Sequence, residues 1–288
     1  MGKTKAKGIS LHIGVNLVDP AHYAGWSGPL AGCEADSEDM MSLAKATGFA
    51  TERLVTKDAT RARVTKEITA AADQLERGDI FFLTYSGHGG QLPDKNDDEP
   101  DGVDETWCLY DGELVDDQIF KLLGRFRAGV RIVVLSDSCH SGSVLKDVLD
   151  RAHRSEGHLT RAMPKDVAMR TYRQNKAEYD PILSDESLAR ARKEVAASAM
   201  LISGCQDNQL SLDGTFNGLF TGTLLRVWKD GLFKGDYEEL HRQIVKRMPP
   251  TQTPNLFRVG VNDAAFLRQR PFSIDGVEAE THKGHASV

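Results

Sequence analysis

Two residues in this sequence are placed for nucleophilic chemistry. His88 lies in "FFLTYSGHGG" (residues 81–90) and Cys139 in "RIVVLSDSCHSGS" (residues 131–143), 51 positions later. Each follows an apolar, β-favouring run that ends abruptly in small, polar and glycine residues. A thiol with an ordinary pKa of about 8.5 is mostly protonated at neutral pH, and the thiolate is the reactive form. A nearby histidine takes that proton or stabilises the thiolate as imidazolium. Gly89 and Gly142 leave room for backbone N–H groups to approach a substrate carbonyl, and such donors stabilise a tetrahedral oxyanion. The expected donors are the N–H groups of Gly89 and Cys139. Asp137, two residues before the cysteine, alternates along the strand end and could face a cationic side chain. A carboxylate that ends a buried strand needs a reason to be there. The bland readings are an inert core cysteine and a structural histidine; His140 is a rival base, but a sequence neighbour on a strand end points away from Cys139.

These residues need elements to hold them. "SLHIGVNLVD" reads as a first strand. "LAGCEADSEDMMSLAKATGF" reads as a loop and an amphipathic helix, with Met40, Leu43 and Ala44 at helical spacing and Gly48 at its end. Val64, Ile68, Ala71 and Leu75 mark a second helix. "DIFFLTYSGHGG" is a buried strand running into a glycine turn. "TWCLYDGELVDDQIFKLLGRF" gives a short strand, then a helix starting near Asp116 and Asp117, where acids suit the helix N-terminus. "RIVVLSDSC" and "SAMLISGCQDNQ" are further buried strands. "NGLFTGTLLRVWKDG" and "DYEELHRQIVKRM" are helices, and "TPNLFRVG" is a last strand. Strands alternating with helices predict an α/β fold with a mostly parallel central sheet and helices on both faces. Ligands bind such sheets beyond the carboxyl ends of the strands. "YSGHGG", "SDSCHSG" and "SGCQDNQ" would therefore meet at one edge.

The 288 residues carry 36 Lys and Arg against 42 Asp and Glu, a formal net charge of -6. That balance does not suggest a nucleic-acid or anionic-membrane partner. No apolar run approaches the roughly 18 residues of a bilayer span, and the N-terminal region is not a secretory signal. A cytoplasmic location is expected. Cys33, Cys108, Cys139 and Cys205 are far apart, with no zinc-ligand spacing, and fit reduced thiols. Two stretches stand out: residues 94–117 hold eleven acids and one lysine, and residues 151–195 hold ten Lys or Arg.

Five segments, in order over roughly residues 9–260, resemble the metacaspases, caspase-like cysteine peptidases of clan CD, family C14, of a prokaryotic, prodomain-free type. They are "LAGCEADSEDM", "FFLTYSGHG", "DEPDGVDETWCLYDGELVDDQIF", "VVLSDSCHSGS" and "LISGCQDNQLSLDGTFNGLFTGTLL". The spacing of about 50 residues between histidine and cysteine also matches caspase-type enzymes. The resemblance implies a caspase-like fold and a dyad of His88 as acid/base and Cys139 as nucleophile. It implies hydrolysis after Arg or Lys, with Asp36, Ser86 and Asp137 forming the pocket for the basic side chain. By itself, Asp36 reads as a helix cap. Caspases cut after Asp and would need arginines there.

The resemblance also implies a calcium site with ligands at Asp104, Asp116 and Asp117. The fourth position of that set is Lys146, whose ammonium cannot ligate calcium and would repel it. No cofactor is needed for the chemistry, and calcium is expected at most as an activator.

A single peptidase domain over 1–288 is expected: a large portion (8–148), a charged linker (149–195), a small portion (196–270) and a loosely ordered tail (271–288). The linker reads either as a solvated connection or as a self-processing site, with candidate positions at Arg151, Arg154, Arg161, Lys165, Arg170, Arg173 and Lys176. Protein or peptide substrates and a monomeric state follow from the resemblance. The alternatives are a peptidase of the same clan with another specificity, or a non-catalytic or zymogen-like caspase-fold module that regulates or binds metal.

Overall fold

The computed structural model describes residues 5–95, 102–139, 159–205, 211–214 and 216–275. Its frame is a six-stranded sheet built from β1 (Gly8–Gly14), β2 (Ala50–Val55), β3 (Ile80–Ser86), β7 (Arg131–Asp137), β8 (Ser198–Ser203) and β9 (Asn255–Gly260). The strand order is β2-β1-β3-β7-β8-β9. All neighbours run parallel except the β8–β9 pair, which is antiparallel.

Strand parity sorts the sheet into two faces. Phe81, Leu83 and Tyr85 of β3, with Ile132 and Val134 of β7, enter one core. That core also holds Val64 and Ile68 of α2 (Arg61–Gln74) and Leu122 and Leu123 of α3 (Asp116–Leu123). Ile80, Phe82, Val133 and Leu135 enter the opposite core. There they meet α1 (Cys33–Ala46), α7 (Leu219–Trp228) and α8 (Tyr237–Val245). Continuous apolar runs are what a parallel sheet covered on both faces requires.

The register aligns the strand ends. Gly14 pairs with Ser86, Ser86 with Asp137, and Ser136 with Ser203. The polar ends read from the sequence therefore do share one edge. A second sheet, not anticipated from the sequence, stands beside it: β4 (Gly89–Pro93), β5 (Val103–Leu109) and β6 (Gly112–Val115), in antiparallel order β4-β5-β6. By sequence the acidic segment reads as one short strand and a loop; alternation is hidden there because the hairpin's acids include the buried Asp104 and Glu113.

The basic stretch is not a solvated connection throughout. Residues 160–163 are buried, and α4 (Lys165–Gln174), α5 (Lys176–Leu183) and α6 (Ala191–Glu194) follow. The expected loose tail also needs correction at its start. Phe272 is fully buried beside Trp228 and Tyr237, and its N–H donates to the Tyr237 hydroxyl, because the apolar face of α7 and α8 needs a cover. Residues 276–288 lie outside the described part. A last helix, α9 (Ala264–Arg268), contributes the buried Phe266.

Candidate active site

His88 and Cys139 each lie two residues beyond a directly paired position, since Ser86 and Asp137 are register partners on adjacent strands. Both are buried. His88 Nε2 is 3.0 Å from the Gly28 carbonyl oxygen, and Trp26 packs on the ring at 4.7 Å between centroids. A carbonyl only accepts, so Nε2 carries the hydrogen, and Nδ1 is the basic atom of the neutral ring. The Tyr85 hydroxyl fixes the turn by donating to the His88 and Cys108 carbonyls, at 2.7 and 3.0 Å.

The feature that organises the site is Arg161. It is fully buried, and the residues on either side of it, Thr160 and Ala162, form bridges at the strand-end edge. Arg161 N–H donates to the Ser211 carbonyl at 3.0 Å, and Thr160 bridges Leu212. On its other side, Ala162 bridges Gly89, and Met163 N–H donates to the Gly89 carbonyl at 2.8 Å. The Arg161 carbonyl oxygen receives two N–H groups: Gly89 at 3.0 Å and Cys139 at 3.1 Å. The two donors expected from the sequence thus converge on one carbonyl, that of the Arg161–Ala162 peptide bond. Ala162 packs with Cys139 and Cys205, whose Sγ atoms are 3.6 Å apart. The Ser211 N–H also donates to Cys139 Sγ.

The Arg161 side chain fills a pocket lined by carboxylates. Nη2 donates to Asp36 Oδ2 at 2.7 Å, and Nη1 lies 2.9 Å from Asp137 Oδ2 and 2.8 Å from Ser86 Oγ. The three residues expected to receive a basic side chain therefore surround one. Asp36 is not the helix cap. It lies in the first turn of α1, where Gly32 is the cap residue. Its Oδ1 accepts from the Gly218 N–H and from Asn217 Nδ2, at 3.0 and 2.9 Å. Asp137 Oδ2 accepts from the N–H and hydroxyl of Thr221 in the first turn of α7, at 3.1 and 3.0 Å, where the helix dipole favours a negative charge. Ser211 Oγ donates to Asp137 Oδ1 at 2.6 Å.

A further carboxylate was missed from the sequence: Asp213 Oδ1 accepts from Arg161 Nη2 at 2.8 Å and from Nε at 3.3 Å. Its only sequence signal was an acid between Ser211 and Gly214 in a run without helical period. Gly218 was missed for a different reason. A methyl group there would sit 2.5 Å from Arg161 Cζ, so the pocket closes on the guanidinium only because this residue has no side chain.

Burial opposes the charge on Arg161, but Asp137, Asp36 and Asp213 outweigh it and hold the guanidinium charged. Burial pushes the Asp36 carboxyl up; the guanidinium opposes that, and the Asp137 charge adds to it. Two other cysteines are inert. Burial raises Cys33 to about 12 and Cys108 well above the usual thiol range.

The remaining expected sites fall elsewhere. Lys165, Arg170 and Arg173 lie on α4 and Lys176 opens α5, in helical rather than extended backbone. Arg151, Arg154, His140 and Lys146 lie outside the described residues. Asp116 and Asp117 are adjacent at the start of α3, and Asp104 is buried on β5. Among the described residues, no three or more His, Cys, Asp or Glu side chains converge as a metal-binding group. Among the described residues, no helix is long and apolar enough to cross a membrane.

A thiol and a histidine thus follow the ends of adjacent strands, beside an acidic pocket. The model of the caspase domain, family Peptidase_C14, matches residues 15–266, and the chain belongs to this family of cysteine-type peptidases. Within it, the chain is 31% identical to Metacaspase-1 of Coccidioides immitis over 77% of its own length and 53% of that protein. It is 32% identical to Metacaspase-1 of Cryptococcus neoformans over 77% of the chain and 54% of that protein. The chain thus spans little more than half the length of these curated relatives. Its structure is similar to the crystal structure of protein GSU0716 from Geobacter sulfurreducens, with a TM-score of 0.85 and 58% identity over 93% of this chain and 99% of the other.

Proposed function

We propose that the protein is a cysteine endopeptidase that cuts after basic residues, Arg or Lys, and that its first substrate is its own Arg161–Ala162 bond. One observation carries this reading: the Arg161 side chain occupies the carboxylate pocket while its carbonyl accepts the N–H groups of Gly89 and Cys139.

In this reading the Cys139 thiolate attacks the Arg161 carbonyl carbon after His88 Nδ1 takes the thiol proton. The hydrogen bond from Nε2–H to the Gly28 carbonyl keeps the ring in the tautomer that leaves Nδ1 basic. The developing oxyanion is held by the Gly89 and Cys139 N–H groups. Such donors are each worth about 3–4 kcal/mol in related acyl-transfer sites. The imidazolium then protonates the leaving Ala162 nitrogen, and water hydrolyses the thioester. Until Arg161 leaves, no other substrate can enter the pocket, so the uncut chain is a self-blocked precursor. The chemistry requires protein or peptide substrates and no cofactor.

The test incubates wild type and Cys139→Ala, identifies the new N-terminus, and assays matched fluorogenic peptides ending in Arg, Lys or Asp, with calcium and with chelator. The expected result is a fragment beginning at Ala162 and cleavage after basic residues, both lost in Cys139→Ala. Cleavage only after Asp would overturn the pocket assignment. A fully active chain that stays intact would overturn self-processing at Arg161.

A further inference from the structure

Resting on the reading above, that the pocket holding Arg161 is the one that receives substrate, we propose that Asp213 makes the enzyme select arginine over lysine.

The pocket uses the whole guanidinium. Nη1 meets Ser86 Oγ, Asp137 Oδ2 and the Asp137 carbonyl, at 2.8, 2.9 and 3.2 Å. Nη2 meets Asp36 Oδ2 and Asp213 Oδ1, at 2.7 and 2.8 Å. Nε meets Asp213 Oδ1 at 3.3 Å. Asp213 is the partner that reads the Nε–Nη2 edge, whereas Asp36 and Asp137 meet only the terminal nitrogens.

An ammonium cannot reproduce this. Lysine carries a methylene where arginine has Nε, and its head has three donors in place of five. It could satisfy Asp36 and Asp137, the end of the pocket, but not the side-on oxygen of Asp213. Nor can Asp213 move to follow it. Its Oδ2 accepts from the Ala31 N–H at 2.7 Å and its Oδ1 from the Gly32 N–H at 3.2 Å, which pins the carboxylate to the loop before α1. The side chain is buried, so a lysine would leave a carboxylate oxygen short of donors away from water. Sites built to hydrogen-bond one head group reject the analogue that lacks it, because their own polar groups are left unpaired. Gly218 sharpens the shape, since the slot it leaves fits a flat head against the backbone.

The test uses the processed wild-type enzyme and three matched fluorogenic peptides. They end in Arg, in Lys, and in an arginine analogue with a methylene in place of Nε, which keeps the charge and both terminal nitrogens. The expected kcat/KM is at least ~100-fold higher for Arg than for Lys, with the analogue at least ~10-fold below Arg. In Asp213→Asn the Arg rate falls, the Lys rate changes little, and the ratio shrinks to within ~10-fold. The analogue arm needs no variant, so it decides the matter even if Asp213→Asn does not fold. Equal turnover of the Arg and Lys peptides, or of Arg and the analogue, would overturn the role of Asp213 and leave the peptidase reading standing. Turnover of none of them by processed enzyme would sink both.

Discussion

Two regions of the molecule bury acidic side chains, and they solve the problem in opposite ways. In the strand-end pocket, Asp36, Asp137 and Asp213 are buried together, yet each has a cation and several N–H or O–H donors. Glu113, on β6 of the second sheet, is buried alone. Thr106 Oγ1 donates to its Oε2 at 2.7 Å, while Oε1 has no hydrogen-bond partner among the described residues. Burial pushes this carboxyl up to about 8, with Thr106 and Arg61 pulling it only part of the way back. A buried charge persists where a partner and donors replace its lost hydration; where they do not, the group keeps its proton. The pocket is therefore a place prepared for a cation, whereas burial shifts Glu113 toward its protonated form.

The sharpest way to break this contrast is to remove one acid from each region, in a Cys139→Ala background so that the chain stays uncut. Asp137→Ala strips the Arg161 guanidinium of a buried partner and orphans Ser211 and Thr221. It should destabilise the protein by about 3–5 kcal/mol in urea denaturation. A loss below about 1 kcal/mol would mean that water already screens the pocket.

Glu113→Gln should act with the opposite sign. The folded form holds the Glu113 proton between about pH 4.5 and about pH 8, where the unfolded chain has released it. The folded state thus binds more protons, and wild-type stability falls as pH rises through that window, with an upper slope of roughly 1.4 kcal/mol per pH unit. Gln can keep the Thr106 bond, carries no charge and lacks that slope, so its advantage over wild type should grow from mildly acidic to mildly alkaline pH. Parallel stability–pH curves for the two proteins would show that Glu113 is ionised in the fold after all.

The smallest effect is the control on exposed charge. Arg170 pairs with Asp166 one turn earlier on the solvent side of α4. Arg170→Ala should change stability by no more than about 0.5 kcal/mol and leave processing at Arg161 intact. Loss of the Ala162 fragment in this variant would move the processing site onto the helix.

Much of the frame was legible because it obeys local rules. Apolar runs of four residues, 80–83 and 132–135, followed by small and polar residues marked β3 and β7, and a helical repeat from Val64 to Leu75 marked α2. Parallel register then put Ser86 beside Asp137, with His88 and Cys139 each two residues further along the chain. The second sheet was hidden because its strands are short and carry acids at buried positions. The start of the supposed tail was misread because nothing local tells Phe272 that α7 and α8 leave an apolar face uncovered.

What the sequence determined by itself was the family, the fold class and which polar residues close its central strands. A thiol and a histidine end neighbouring strands, a carboxylate lies two residues before the thiol, and a run of basic residues separates the two halves. Each is fixed by spacing within one segment, which backbone geometry converts directly into position. The tertiary structure decided which of those basic residues enters the pocket, and that a third carboxylate waits for it. Arg161 meets Asp36 across 125 positions and Asp213 across 52. Contacts at that separation depend on the path of the whole chain and on the balance of buried charge, and no local pattern records either.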